Sequence, residues 1–219
     1  MTDELQKLPL EFKLRLSAAQ ARVATARLVG DKQALANALK ELGNIERRPP
    51  FMRETANRTF AEASALYKEL EMPLEAAWVV RHIGINHEYA ERLTDAEASY
   101  DEALDLFRLH ATSNSLDYAN AVRYPAVIKN RLGKREESAR LWEEAHDRYR
   151  EIGPNGLGEG VAEAAAWLTI FAIEKGDPEL AQKWFKRANE ASAASADPDT
   201  HKFIAEVRQR MTEFGDQRT

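Results

Sequence analysis

The chain has 219 residues, 44% apolar and 31% charged, enough for one large domain or a short repeat array. Its 31 basic against 36 acidic residues give a net charge of −5, which argues against a nucleic-acid partner, and the absence of cysteine removes disulfides, thiol nucleophiles, iron–sulfur clusters and cysteine-ligated zinc. No apolar run approaches the ~20 residues that cross a bilayer, and the charged N-terminus lacks the apolar core of a signal peptide, so no membrane partner and a cytoplasmic location are expected.

With only 10 glycines and 8 prolines, and apolar residues spaced three and four apart, the chain reads as all-α. The first predicted helix spans residues 9–29, with Phe12, Leu16, Ala19, Val23 and Ala26 on one side and Gly30 closing it. Punctuation then falls at Pro49-Pro50, Pro73, Thr94, Gly133, Gly153-Pro154, Gly176-Asp177-Pro178 and Asp197-Pro198. Asp or Thr serves as N-cap and Pro sits in the first turn, which gives about ten helices joined by short loops. The last predicted helix covers 199–214, with Phe203, Ile204, Val207 and Met211 on one face; residues 216–219 are expected to be disordered.

Between these ends, residues 32–193 repeat. Gly43, Gly84, Ala126 and Thr169 lie 41, 42 and 43 residues apart. Seven residues before each stands Ala36, Ala77, Ala119 or Ala162. Twelve or thirteen after each stands Ala56, Ala96, Ser138 or Ala181. Four further on comes an aromatic (Phe60, Tyr100, Trp142, Phe185), and three beyond that another alanine (Ala63, Ala103, Ala145, Ala188). Small residues let two helix axes approach closely and the aromatic fills the space between hairpins. A hairpin cannot bury its own apolar face, so four such units stack and the terminal helices cover the ends.

This pattern, with Leu42-Gly43 and Ile83-Gly84 at the reference point, resembles the tetratricopeptide repeat; its period near 42 is similar to the longer repeats of kinesin light chain and of bacterial tetratricopeptide regulators. The resemblance implies a right-handed α-α superhelix, an α-solenoid, spanning 1–219 as one domain with flanking terminal helices. It also implies protein or peptide binding through the concave surface. Pro125 departs from the pattern inside the third repeat and should kink its helix.

Catalytic signals are absent. The five histidines lack zinc spacing, the glycine-rich stretch 153–160 lacks the lysine and hydroxyl of a phosphate loop, and the Asn57-Arg58-Thr59 sequon falls inside a helix. Neither a catalytic site, nor a metal, nor a cofactor is expected. The groove-facing arc of the first helices carries the sharpest signal. Three residues before the reference point stand Lys40, Arg81 and Arg123; six before stand Asn37, Trp78, Asn120 and Glu163; Asn44 and Asn130 follow at one and four after. A column of cations beside asparagines suits a carboxylate and the amides of an extended acidic peptide, with Trp78 as apolar contact. In the alternative the cations pair with Glu41, Glu88 or a neighbouring helix. Lys40 and Asn44 also resemble the first part of the carboxylate clamp of chaperone-binding tetratricopeptide domains, but His82, Asn120 and Tyr124 do not complete it. Of the tryptophans, Trp142 belongs to the core, Trp78 and Trp167 fall near the groove, and Trp184 should be partly exposed beside Phe185. Rival functions are a sensor of peptides or small molecules acting by sequestration, and a self-assembling homo-oligomeric module.

Overall fold

The computed structural model describes residues 2–153 and 158–216. Among these, no strand occurs and eleven α-helices follow one another: α1 Thr2–Lys7, α2 Leu10–Val29, α3 Lys32–Glu46, α4 Arg53–Glu69, α5 Pro73–Tyr89, α6 Leu93–His110, α7 Leu116–Arg131, α8 Arg135–Glu151, α9 Gly158–Glu174, α10 Pro178–Ser192 and α11 Pro198–Asp216. The repeats therefore occupy α3 to α10. The terminal helices α2 and α11 run over Leu10–Val29 and Pro198–Asp216, and α1 is an addition that its six residues did not signal. Asp216 ends α11, and residues 217–219 lie outside the described residues, as does the 154–157 part of the expected glycine-rich turn.

Contacts cluster into two units, Met1–Ala111 and Thr112–Thr219. In the first, α2 to α6 each pack on the next. In the second, α7 to α10 do the same, and α11 packs on both α9 and α10. Short turns make sequence neighbours antiparallel.

The repeated alanines are interior. Ala36, Ala77, Ala119 and Ala162 are wholly buried, as are Ala63, Ala103, Ala145 and Ala188. The glycines at the reference point are needed for space rather than flexibility. A Cβ on Gly43 would lie 2.6 Å from the Phe60 ring, and one on Gly84 would lie 2.6 Å from the Tyr100 ring. Ser138 fits its alanine column because its hydroxyl donates to the Ala126 carbonyl at 2.7 Å, which satisfies a buried polar group. In the fourth repeat Trp184 is buried and Phe185 only half-buried, the reverse of the expectation; the Trp184 ring meets His146 edge-on at 5.0 Å.

The first helix of each of the last three repeats ends in one way. Seven residues past the reference point, Glu91, Gly133 and Gly176 adopt left-handed backbone, with φ of 57°, 77° and 72°. The next N–H then reaches back to a carbonyl of the last helical turn: Arg92 to His87 at 3.0 Å, Lys134 to Lys129 at 2.8 Å and Asp177 to Ala172 at 2.9 Å. In the first repeat the extra residue is absorbed by a 3-10 turn, Pro50–Met52, that leads into α4. Asp31, Ser115 and Asp177 cap α3, α7 and α10 by accepting from backbone N–H groups. Thr94 caps nothing, since α6 already begins at Leu93. Pro125 lies within α7, which runs unbroken from Leu116 to Arg131. Asn57, of the glycosylation sequon, is buried in α4, where it accepts from the Asn86 amide at 2.7 Å.

Two outcomes follow for stability. Gly84→Val forces the Tyr100 ring off its seat and is expected to cost about 2 kcal/mol in urea unfolding; an unchanged midpoint would contradict the packing. His146 is buried, and burial holds its pKa below the usual 6.5, with its Asp147 contact opposing and Arg187 and Arg150 adding. A depressed folded pKa means that His146 binds its proton more readily when unfolded. Its contribution is thus complete above about pH 6.5 and is lost as pH falls through the folded value. The urea midpoint should drop from about pH 7.5 to about pH 5.5, and His146→Phe should flatten that drop.

Candidate functional site

In the first unit the predicted residues meet around Tyr67. The Tyr67 hydroxyl donates to Asn37 Oδ1 at 2.7 Å. Burial, then Glu75 and Glu41, push its pKa up to about 12, so it remains a donor at neutral pH. Lys40 Nζ lies 5.9 Å from the Tyr67 ring centroid and 5.3 Å from that of Trp78. Trp78 in turn stacks on His82 at 3.7 Å, and the His82 ring contacts the Trp78 carbonyl through Nδ1 at 2.8 Å. Trp78 is thereby held flat beneath the ammonium, an arrangement in which the ring face attracts the charge. Asn44 lies beside Arg15, Arg22 and Arg48 in a cavity of about 330 Å³ between α2 and α3, whose one carboxylate, Glu41, pairs with Arg22.

The second unit repeats this geometry with other chemistry. Asn120 occupies the repeat position of Asn37, and it accepts from the Tyr149 hydroxyl at 2.7 Å. Arg123 occupies the position of Lys40. Its guanidinium grips Glu163 on the next hairpin with two bonds, Nε at 2.6 Å and Nη2 at 2.9 Å. Burial disfavours the Arg123 charge, but Glu163 overrides that and raises its pKa. Glu163 occupies the position of Trp78. In each unit, then, the cation three before one reference point reaches the residue six before the next: Lys40 meets an aromatic face and Arg123 meets a carboxylate.

Around Arg123 opens a cavity of about 440 Å³. Its walls are Asn120 and Arg123 of α7, Tyr149 of α8, Glu159, Gly160, Glu163 and Trp167 of α9, and Asp197, Asp199, Thr200 and Phe203 at the start of α11. Gly160 makes room for the Tyr149 ring, since a Cβ there would lie 2.7 Å from it. Trp167 and Phe203 sit with ring centroids 5.4 Å apart. Asp197 caps α11, accepting from the Thr200 N–H at 2.9 Å and its hydroxyl at 2.7 Å; those bonds hold its pKa below the usual carboxylate range.

Two of the sequence-assigned residues stand elsewhere. Arg81 is only 6% exposed, so it belongs to the interior of the first unit. Asn130, at the far end of α7, accepts from Arg135, which also pairs with Glu174 at 3.3 Å. The tyrosines at 67 and 149, each 23 or 24 residues past a reference point, were legible as a column but carried no obvious role. Arg15, Arg22, Arg48 and the carboxylates of α11 lie outside the repeats, where periodicity is silent. Among the described residues, no three His, Asp or Glu side chains are grouped to hold a metal ion, and no helix is long and apolar enough to cross a membrane.

No protein-family model matches the chain. No curated protein matches it either. Solved structures do match. BtubC (BKLC) from P. vanneervenii aligns at 18% identity and a TM-score of 0.72, over 94% of this chain and 87% of its own. A signal-transduction ATPase with numerous domains and a tetratricopeptide repeat sensor, from Pyrococcus horikoshii, aligns at 15% identity and 0.66, over 98% of this chain and 37% of its own. The fold is a tetratricopeptide-like α-solenoid. The Rap conjugation regulator of plasmid pLS20, in complex with the Phr* peptide, is similar to this tetratricopeptide-like chain at 19% identity and 0.55, over 95% of this chain and 60% of its own.

The Arg123–Glu163 grip should register in a double-mutant cycle. Arg123→Ala and Glu163→Ala are expected to couple by about 1 kcal/mol, above the few tenths of a freely exposed pair, because both side chains are largely covered and bind through two hydrogen bonds. Additive losses would show the pair to be incidental.

Proposed function

We propose that the chain is a non-catalytic binding module that holds an extended segment of a partner protein or peptide along its first helices. The observation that carries this reading is the 440 Å³ cavity of the second unit, where Asn120, Arg123 and Glu163 of the first helices meet residues of α8 and α11, with aromatic surface beside a few converging polar groups. Similarity in fold to a regulator solved with a bound peptide supports it. An acidic stretch of the ligand is directed to the first unit, where Arg15, Arg22 and Arg48 outnumber Glu41 around Asn44. Arg123 is not the group that receives it, because its charge is already matched by Glu163, which takes its Nε and Nη2. A second reading, a peptide-sensing regulator that acts by sequestering its target, draws on the same similarity.

Selection of a displayed peptide library against the full chain tests this. Extended peptides should be enriched, those with an acidic stretch should lose at least about tenfold affinity for an Arg15→Glu, Arg48→Glu variant, and the melting temperature should hold within a few degrees. No enrichment would remove the binding role; equal affinity for the variant would remove the acidic stretch from this cavity.

A further inference from the structure

The cavity of the second unit has the opposite sign to the one at Asn44. Glu159, Glu163, Asp197 and Asp199 bring four negative charges to its wall and Arg123 brings one positive charge. The N-termini of α9 and α11 also open here, and each offsets about half a charge, as first-turn acids commonly exploit. About two negative charges are left over by that sum. Arg123 cannot answer them, being bound to Glu163. Asp197 is engaged in capping α11, whereas Glu159 and Asp199 have no side-chain partner among the described residues.

The wall between these acids is aromatic. Trp167 is half-buried, flanked by Phe203 at 5.4 Å and by Phe171 and Trp142 at 6.1 Å each, and Tyr149 also lines the cavity. Carboxylates around indole and phenyl faces form the surroundings that a flat, delocalised cation satisfies best: its plane stacks on rings while its N–H groups fork to carboxylates. A compact ammonium would gain the charge but not the stacking, and an anion would meet the excess charge unshielded.

We propose that this cavity receives an arginine side chain from an extended segment of a partner protein, with the guanidinium laid against the aromatic surface that Trp167 and Phe203 form together and its N–H groups directed at Glu159 and Asp199. The proposal rests on the reading that the first-helix wall is the binding surface, and it adds the chemistry of one subsite. At about 440 Å³ the space admits one long side chain with adjoining backbone, in keeping with a peptide rather than a bulk surface contact.

The test uses the full chain and three peptides of equal length, each with three arginines, three citrullines (the same shape without charge) or three glutamates. The readouts are calorimetric affinity and the Trp167 indole resonance. The arginine peptide should bind, shift that resonance, and weaken as salt rises; a Glu159→Gln, Asp199→Asn variant, whose thermal midpoint should stay within a few degrees of the parent, should bind it at least tenfold more weakly. Citrulline binding as tight as arginine, a glutamate peptide that shifts the Trp167 resonance as the arginine peptide does, arginine-peptide shifts confined to residues of the first unit, or undiminished affinity of the variant would each overturn the assignment. So would free arginine binding as tightly as the peptide, which would make the site one for a small metabolite. An acidic peptide that binds the Arg15→Glu, Arg48→Glu variant as tightly as the parent, with arginine binding intact, would overturn that earlier assignment and leave this one standing.

Discussion

The hairpins of the first unit depend on an aromatic ring lying where a side chain would otherwise be. Phe60 against Gly43 and Tyr100 against Gly84 leave no room for even one methyl group, so the two helices of a hairpin have one depth of approach and one relative rotation. Because the contact recurs at a fixed place in the repeat, it also fixes which residues of each first helix face outward. Tyr149 against Gly160 applies the same constraint between successive hairpins of the second unit, and the cavity around Arg123 lies beside that contact.

The wall so exposed is polar by a local rule. A cation on one hairpin reaches to the next hairpin's residue three positions earlier in the repeat, and the identity of that residue sets the chemistry. Trp78 leaves Lys40 its charge and supplies a flat surface; Glu163 cancels Arg123 and turns the surroundings acidic. Two units with one architecture thus present surfaces of different sign. In an array each position can diverge without disturbing the contacts between neighbours, since each hairpin touches only those beside it.

Much of this was legible in the sequence because packing constraints act on residue size at fixed spacing. The alanine columns, the aromatic column and the small reference residues follow from periodicity alone, and the helices that bear Asn37, Lys40, Asn120 and Arg123 come with them. Depth within the wall was not legible. Arg81 shares its repeat position with Lys40 and Arg123 yet lies in the interior, because exposure depends on the bulk of neighbouring side chains and not on phase. Pairing was equally hidden: Glu163 stood in its column, but only the packing of α9 on α8, itself packed on α7, brings it to Arg123. Glu91, left-handed where later repeats use glycine, shows how a turn can be kept while its sequence signal disappears.

The ring-for-methyl exchange at the centre of this account can be measured directly. Gly84→Ala and Tyr100→Leu, made singly and together, form a cycle of unfolding free energies in which the smaller side chain at 100 vacates the space that the new methyl needs. The double variant should be more stable than the sum of the single losses by at least about 1 kcal/mol. Additivity within about 0.5 kcal/mol would mean that the ring and the glycine do not set each other's position, and the alignment of the first helices would then need another cause.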